Sequence, residues 1–520
     1  MTMPTTASGN RGLQLEQGLI FELNTPGMTA VDLPPAPKVA ERLGGLKNTK
    51  AIGLPGLSEP DVVRHYTRLS QKNYSIDSGF YPLGSCTMKH NPRLNEKMAR
   101  LPGFADIHPF QPLSTVQGAL ELIDTCAQWL KELTGMTAVA MSPAAGAHGE
   151  LCGLMCIKSA HEANGQGHRK IVLVPESAHG TNPATAALCG YTVEAIPANA
   201  EGRVDVAALK AHLRPQDGKM EIAAVMITNP NTCGLFERDC IAIAEAVHAA
   251  GAYFYMDGAN YNAIVARLRI ADLGVDAMHI NLHKTFSTPH GGGGPGAGPT
   301  VLSAKLAPFA PVPMVVTAGS GFDVEEHAGH GEARQSYGRM KGYHGQFGVF
   351  VRAVAYMMAM GVDGLKQASG DAVLNANYLL ARLSAELTPA FDGPCMHEAV
   401  FDDRFLKGTG VSTLDIAKAL IDEGVHPPTM YFPLVVHGAL LMEPTETESK
   451  ATLDQFVNSL LSLARKAKSG TAEAMFKASP QLAPRRRLDE TKAARKPVLR
   501  WLPPAGNHEG NGDTKREAAE

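Results

Sequence analysis

Lys284 lies two residues after the apolar stretch AMHINL, whose composition predicts a buried strand. Lysine is rarely buried unless it is paired, so this amine is either half of a structural ion pair or a functional group. The Gly-rich run GGGGPGAG follows, but it lacks the Gly-Lys-Ser/Thr ending of a Walker loop and does not match G-x-G-x-x-G. Ligands bind at the carboxyl ends of strands in α/β sheets, so the position of Lys284 favours a ligand site.

Asp257 ends the preceding predicted strand, AYFYMD. Alone, such a carboxylate is most simply a cap, with a metal ligand or a charge partner as alternatives. Together with Lys284 at the next strand end it has a specific use. Pyridoxal phosphate (PLP) needs a lysine for its Schiff base and an anion at its pyridine nitrogen.

Two further stretches could complete a PLP site. Ala145 and Gly146 lie in MSPAAGAHGE, where small residues run into a predicted helix whose backbone N–H groups could hold a phosphate. An ordinary strand-to-helix turn explains this stretch equally well. His179 follows the predicted strand KIVLVP and could stack on a cofactor ring, although a lone histidine is more often a turn residue.

The turn ITNPNTCG lies at another strand end and carries Asn229, Asn231 and Thr232. These side chains could donate a hydrogen bond to the phenolate oxygen of the cofactor. Asn-Pro and Asn-Thr are also common turn formers, so both interpretations stay open.

Short apolar runs alternate with helical segments between residues 170 and 282, which predicts a mostly parallel sheet covered on both faces, an α/β fold. A preceding amphipathic helix should stop at Gly135. A smaller C-terminal α+β domain follows the large one. The predicted divisions are an extended N-terminal arm (1–75), a PLP-binding large domain (76–370), a small domain (371–502) and a disordered tail (503–520).

The composition excludes several classes of protein. The chain has 520 residues, 44% hydrophobic and 19% charged, with a net charge of -3. We therefore expect no disordered chain, no nucleic-acid partner and no membrane span. The N-terminus shows no targeting signal, and eight dispersed cysteines favour a reducing cytoplasm. Cys152 and Cys156, at helical spacing, are expected to pack in the core, and no metal site is predicted.

The ordered set of His179, the Asn-Pro-Asn turn, Asp257 in DGAN and Lys284 in HKTF resembles the fold-type I PLP enzymes, which share the aspartate aminotransferase architecture. Within that group, LIFELNTPG, YPLGSCTMKHNP, SPAAGAHGE and YFPLVVHGALLMEPTETESK resemble the glycine cleavage system P-protein, specifically subunit 2 of its two-subunit bacterial form. The similarity covers roughly residues 15 to 502.

That resemblance implies PLP-dependent decarboxylation of glycine, with transfer of the aminomethyl group to the lipoyl arm of the H-protein. Lys284, Asp257 and His179 would be catalytic, holding the aldehyde, keeping the ring nitrogen protonated and stacking on the ring. It also implies a companion subunit 1 and an α2β2 assembly. The implied cofactor-binding residues are Lys284, Asp257, His179, Ala145, Gly146, Asn229, Ala259 and His283.

Two parts of the site stay open. The channel for the lipoyl arm could be lined by the glycine run or by the loop with Cys86, Lys89 and His90. The group that binds the glycine carboxylate is not identified by the sequence; the candidates are Arg334, Arg339, Lys341 and Arg352.

Two alternative functions differ in whether they require Lys284 and Asp257. Another fold-type I activity, such as an aminotransferase or a lipoate-independent decarboxylase, would use the same Lys284 and Asp257. A catalytically silent subunit would need neither group. The presence of both at successive strand ends argues against that alternative.

Overall fold

The computed structural model describes most of the chain. The described residues are 17–501, except 30, 32, 36, 41, 49–52, 216–219, 291–295 and 327–334. The predicted disordered tail, the first part of the predicted arm and the first five residues of the glycine run therefore lie outside the described residues.

A seven-stranded sheet forms the centre of the large domain. Its strands are β1 (Ala138–Ala140), β2 (Ile171–Pro175), β3 (Thr192–Ile196), β4 (Ile222–Thr228), β5 (Tyr253–Gly258), β6 (Ala277–Ile280) and β7 (Thr300–Leu302). Their order is β1-β7-β6-β5-β4-β2-β3. The run from β6 to β3 is parallel, and only β7 is antiparallel to its neighbours. The mostly parallel sheet predicted from the sequence is confirmed.

Helices cover both faces of this sheet. The helices up to the end of β6 and just after it are α1 (Glu59–Ser70), α2 (Arg93–Ala99), α3 (Pro102–Ala105), α4 (Gln117–Thr134), α5 (Gly146–Ala163), α6 (Thr181–Leu188), α7 (Val206–His212), α8 (Cys240–Ala249) and α9 (Leu282–Thr285). Among them, α4 and α8 pack on one face of the sheet and α5 and α6 on the other. Alternate strand residues enter different cores: Phe254 and Met256 pack with α4 and α8, whereas Tyr255 packs with α5 and α6. The predicted stop of α4 is present, since Gly135 is left-handed at φ 72°.

A second, antiparallel sheet organises the C-terminal part. A hairpin of β8 (Met314–Ala318) and β9 (Gly321–Glu325) leads to α10 (Phe347–Leu383). The remaining elements are β10 (Thr388–Pro389), β11 (Ala399–Asp402), α11 (Thr413–Asp422), β12 (Thr429–Met430), β13 (Leu440–Met442), α12 (Lys450–Lys468), α13 (Glu473–Ala478) and α14 (Glu490–Arg495). The sheet order is β10-β11-β13-β12, and α10 to α13 supply its core.

Helix α10 joins the two cores. Phe350 and Val354 pack in the large-domain core, whereas Leu379 and Leu383 pack in the small-domain core. Its backbone departs from helical geometry at Gly361 (φ 60°, ψ 179°), where it kinks. By length and composition this helix could cross a membrane, which the sequence-based expectation did not foresee. Its burial between two cores explains its apolar character.

The predicted N-terminal arm is not extended throughout. Its last part forms α1, where the Ser58 side chain accepts from the Asp61 backbone N–H and a proline lies in the first turn. Before it, several apolar side chains are exposed, including Leu33, Val39 and Leu46. The arm therefore presents apolar surface to its surroundings.

Gly153 on α5 lets the helix approach the sheet closely. A Cβ there would meet the ring of Tyr255 at 2.5 Å. We expect Gly153→Ala to lower the unfolding free energy by about 1–3 kcal/mol, because packed cores accommodate extra atoms poorly. Gly118→Ala on α4, where a Cβ meets nothing within 4 Å, should be neutral or stabilising. Urea denaturation of both variants checks this, and equal stabilities would contradict it.

Candidate active site

A cavity of about 270 Å³ lies at the carboxyl ends of β4, β5 and β6. This is the edge at which parallel sheets bind ligands. Six of the eight implied cofactor-binding residues line it: Gly146, His179, Asp257, Ala259, His283 and Lys284. It is also lined by Ser85, Cys86, Ala147, Glu150, Thr181, Thr228, Thr232, Asn260, His279, Asn281 and His290.

Lys284 lies on the short helix α9, directly after β6. Its Nζ donates a hydrogen bond to the carbonyl oxygen of Ser85, at 2.8 Å. Because a backbone carbonyl carries no full charge, Lys284 is not consumed in a buried ion pair. The amine faces the cavity and is placed to react with a ligand there.

Asp257 is fully enclosed at the end of β5, at 2% exposed. One carboxylate oxygen accepts from the Asn182 side chain at 2.9 Å, and the other from the Ala259 backbone N–H at 2.8 Å. The second oxygen also lies 3.4 Å from Nε2 of His279. Burial alone would raise the pKa of Asp257, but His279, these hydrogen bonds and Lys284 outweigh it and lower the pKa. Asp257 is thus held as an anion.

His279 was not selected from the sequence, although it lies inside the quoted strand AMHINL. Parallel register pairs it with Asp257 across β5 and β6. Its Nδ1 lies 2.7 Å from the hydroxyl of Tyr255. With Tyr255 donating to Nδ1, the Nε2 proton is directed at Asp257. Burial lowers the pKa of His279, which keeps the ring neutral.

Glu150, one turn into α5, is the second carboxylate of the cavity. Burial, together with the charge of Asp257, raises its pKa to about 7. One oxygen accepts from the Thr181 hydroxyl at 2.7 Å, and the other is buried without a hydrogen-bond partner in the described part of the chain. Glu150, Asp257 and His279 offer ligand atoms within 4.8 Å of one another, so a metal ion could in principle use this set. Asp257, however, already accepts hydrogen bonds from two N–H donors. These donors stabilise its negative charge, as is needed for a carboxylate that faces a cationic ring.

His179 lies between β2 and α6 at the cavity wall. Its Nδ1 accepts from the Thr181 backbone N–H at 3.2 Å, and burial lowers its pKa. The ring also meets Phe432 of the C-terminal part edge-on, with centroids 5.7 Å apart. His179 is therefore a neutral ring at the boundary between the two domains.

The start of α5 and His283 also line the cavity, although Ala145 itself is not among the lining residues. Ala145 caps the helix in extended conformation without a side-chain hydrogen bond, and Gly146 opens it. A Cβ on Gly146 would meet Oδ1 of Asn281 at 2.5 Å, so a side chain there would displace the Asn281 amide. Burial, with His290 and Lys284 nearby, lowers the pKa of His283 to about 3.

The described end of the glycine run has a packing role. A Cβ on Gly298 would meet the carbonyl oxygen of Ala145 at 2.1 Å, and one on Gly296 would meet Nδ1 of His283 at 3.1 Å. These glycines let the strand approach the start of α5. Gly291 to Gly294 lie outside the described residues.

Asn229 is not among the lining residues. Its Oδ1 accepts from the Glu237 backbone N–H at 3.0 Å, and it is fully buried in the turn after β4. Asn231 Oδ1 accepts from the Cys233 and Leu235 backbone N–H groups within the turn, and its Nδ2 donates to the Gly202 carbonyl and to Glu237. Thr228 and Thr232 face the cavity instead. The turn-forming interpretation thus accounts for the contacts of both asparagines.

The charged candidates for carboxylate binding lie away from the cavity lining. Arg352 pairs with Glu96 at 2.8 Å, Arg339 pairs with Glu326, and Lys341 lies over the Tyr343 ring. Arg334 lies outside the described residues. These contacts give the three described candidates structural roles.

Of the three loop residues proposed for the channel, Cys86 lines the cavity, whereas Lys89 and His90 do not. Lys89 is buried and donates to Glu446 at 2.7 Å, to Asn262 at 3.0 Å and to the Thr285 carbonyl at 2.9 Å. His90 is exposed beside Asp77. Cys152 and Cys156 are fully buried on α5, as core packing requires.

Several buried polar atoms of the lining residues have no hydrogen-bond partner among the described residues. They are Ser85 Oγ, Glu150 Oε2, Thr228 Oγ1, Asn281 Oδ1 and His283 Nδ1. Unpaired buried polar atoms are costly, so a cavity with several is built for a polar ligand. With an amine, an enclosed carboxylate and a helix start, the cavity fits PLP. The fold and the site together define a fold-type I PLP enzyme.

Comparisons with known proteins place the chain within that class. The family described as aminotransferase class-V matches residues 152–311, and the family described as glycine dehydrogenase, C-terminal domain, matches residues 368–483. A probable glycine dehydrogenase (decarboxylating) subunit 2 from Caulobacter vibrioides is 65% identical over 502 residues, 96% of this chain and 95% of the relative. The chain belongs to the family of glycine dehydrogenase (decarboxylating) subunit 2.

A more distant relative supports this assignment, and two solved structures share the fold. The subunit 2 of Caldanaerobacter subterraneus subsp. tengcongensis is 50% identical, over 93% of this chain and 98% of the relative. A glycine decarboxylase (P-protein) of the glycine cleavage system, in inhibitor-bound form, has TM-score 0.67 at 22% identity, covering 81% and 93% of the two chains. A sphingosine-1-phosphate lyase of Burkholderia pseudomallei has TM-score 0.57 at 14% identity, covering 84% and 96%. At these identities the structures establish the fold.

Glu150 should make the stability of the cofactor-free protein depend on pH. Its raised pKa means that the folded state holds the proton more tightly than the unfolded chain, so stability falls as pH rises from the ordinary value of 4.5 through about 7. We expect the wild type to lose about 1–3 kcal/mol over this range that Glu150→Gln does not lose. Urea denaturation at a series of pH values measures this. Parallel curves for the two proteins would contradict it, and exposed Glu245→Gln serves as the control.

Proposed function

We propose that this chain catalyses the glycine decarboxylation step of the glycine cleavage system. Glycine loses its carboxyl group as CO2, and the remaining aminomethyl group passes to the lipoyl arm of the H-protein. The observation that supports this most is the pairing of Lys284 and Asp257 at adjacent strand ends around one cavity. Membership of the subunit 2 family supports the choice of glycine over other amino acids.

The chain offers a group for each part of the cofactor. Lys284 would hold the aldehyde carbon, Asp257 would face the pyridine nitrogen, and His179 would lie against the ring. Ala145, Gly146 and His283 would lie near the phosphate, and Ala259 would contact the cofactor beside Asp257. When bound, PLP withdraws the electrons that decarboxylation leaves on the glycine carbon.

Asp257 must keep its negative charge in a buried position for this role. Asn182 and Ala259 donate to both of its oxygens, and His279 directs a proton to it. These contacts stabilise the carboxylate and so favour a proton on a ring nitrogen placed against it. Neutral His179 and His283 add no positive charge that would compete for Asp257.

The finer assignments of partners are also proposals. The printed name of the relatives, subunit 2, supports a companion subunit 1, with which we propose an α2β2 heterotetramer. The exposed apolar side chains of residues 19–46 support a protein partner for the arm. Eight unpaired cysteines, seven of them buried, are compatible with the cytoplasmic location that we propose. We propose no nucleic-acid or membrane partner.

Lys284→Ala should abolish the near-visible absorbance of bound PLP, because no other amine lines the described cavity. Lys158→Ala, which removes an amine bonded to the Cys189 carbonyl, is the matched control. Its absorbance should equal that of the wild type. A wild-type protein that binds no PLP would overturn the cofactor assignment.

Asp257→Asn should retain the cofactor but lower the exchange of labelled bicarbonate into glycine by about 100-fold or more, because a neutral amide cannot stabilise the ring proton. The assay contains lipoylated H-protein and the companion subunit. The control is Asp276→Asn, another buried aspartate with a histidine partner, His248 at 2.7 Å. Near-wild-type rates for Asp257→Asn would refute its role, and exchange that does not require the lipoyl carrier would favour another fold-type I reaction.

A further inference from the structure

Residues 82–87 run from the N-terminal part of the chain across the small-domain sheet. Leu83 forms an antiparallel bridge with Met442, and the Pro82 carbonyl accepts from the Glu443 backbone N–H at 3.2 Å. The Gly84 carbonyl accepts from the Thr429 hydroxyl at 2.9 Å. This segment is therefore attached to the small domain although it lines the cavity of the large one.

Two buried glutamates of the small domain hold the turn Ser85–Thr87. Glu398, just before β11, accepts a hydrogen bond from the Ser85 backbone N–H. Glu443, just after β13, accepts from both the backbone N–H and the hydroxyl of Thr87, at 2.8 and 2.5 Å. Both glutamates are 0% exposed. Water therefore cannot replace them as acceptors.

The backbone of the turn needs such support. Ser85 and Thr87 both adopt the left-handed region, at φ 64° and 49°. A β-branched threonine is a genuine outlier there, and such conformations persist only where the surroundings over-determine them. In this turn, the support comes from three hydrogen bonds, one to Glu398 and two to Glu443.

The Ser85–Thr87 turn also contacts the reactive lysine, Lys284. The Ser85 carbonyl is the acceptor for Lys284 Nζ, and the next residue, Cys86, lines the cavity. Contacts thus run from two small-domain glutamates through one turn to the amine, without passing through the large-domain sheet.

We propose that Glu398 and Glu443 are positioning residues, through which the small domain holds the Ser85–Thr87 turn and sets the place of the Lys284 amine and the Cys86 thiol. The mutual proximity of the two carboxyl groups supports a shared role. Burial and the charge of Glu443 raise the pKa of Glu398. His397 lies beside both, 3.9 Å from Glu443 and 4.0 Å from Glu398. The proposal concerns the same site as the proposed function but depends only on contacts within the protein.

The reaction of Cys86 with a disulfide reagent such as dithionitrobenzoate tests the proposal. Cys86 is the only one of the eight cysteines that is partly exposed, and the partial burial of its thiol raises its pKa to about 11, so the folded wild type should react slowly. Loss of this slow reaction in Cys86→Ser assigns it to Cys86.

Glu443→Ala in the full-length protein should accelerate the Cys86 reaction at least about tenfold, the factor expected for loss of hydrogen bonds to a charged group. Thr87→Val, which removes only the hydroxyl donor, should give a smaller acceleration. Glu443→Gln can accept from the Thr87 N–H and donate to its hydroxyl oxygen, so it should restore a rate near that of the wild type.

Asp415→Asn is the matched control, because Asp415 is a buried small-domain carboxylate that bonds Lys477 and Arg487 and does not touch the turn. It should destabilise the small domain without changing the Cys86 rate below the unfolding transition. If Asp415→Asn accelerates the Cys86 reaction as much as Glu443→Ala does, the acceleration reflects general destabilisation of the small domain, and the proposal is overturned. If Glu443→Ala does not fold, Thr87→Val decides: an unchanged rate there also overturns it. The thiol assay needs no PLP, so its failure is separate from failure of the proposed function.

Discussion

The active site depends on keeping one buried carboxylate charged. An isolated anion at the end of a central strand would be protonated or would destabilise the fold. Asp257 avoids this because parallel register places His279 beside it, and because α6 and the turn after β5 bring N–H donors to its two oxygens. Tyr255 orients His279 in turn, and Gly153 lets α5 pack over Tyr255. The close packing of α5 against the sheet therefore helps to keep Asp257 ionised.

The cavity separates two carboxylates by their surroundings. Asp257 has donors on both oxygens and stays ionised, whereas Glu150 has one hydroxyl donor and a raised pKa. Environments that push the pKa values of neighbouring acids apart are a common basis for dividing roles between them. The histidines of the lining have lowered pKa values, so Lys284 supplies the positive charge at this edge of the sheet.

Much of this arrangement could be predicted from the sequence because it follows from local pattern. Apolar runs gave the strands from β2 to β6, and the common edge of parallel strands brought Asp257 and Lys284 together. His279 could not be recognised as the partner of Asp257, since only the register between strands makes them neighbours. Asn229 followed the strand pattern equally well, but its side chain bonds inside its own turn.

The contributions of the small domain were beyond such reasoning for a different reason. Glu398 and Glu443 lie hundreds of positions from Ser85 and Thr87, and no periodicity relates them. Their role arises from the antiparallel pairing of Leu83 with Met442, a single bridge without strand-like composition. Charged groups in the core of a small domain are a sign that could prompt a search for such contacts, but the partner is visible only in three dimensions.

Helix α10 contributes apolar side chains to the cores on both sides of its kink at Gly361. Neither core can lose this helix without exposing its own interior. The two parts of the chain should therefore melt as one cooperative unit, and a protease that cuts between them should release fragments that do not fold alone. Helix α10 is therefore part of both cores and not a simple linker between domains. The integrity of the catalytic cavity consequently depends on the stability of the small domain.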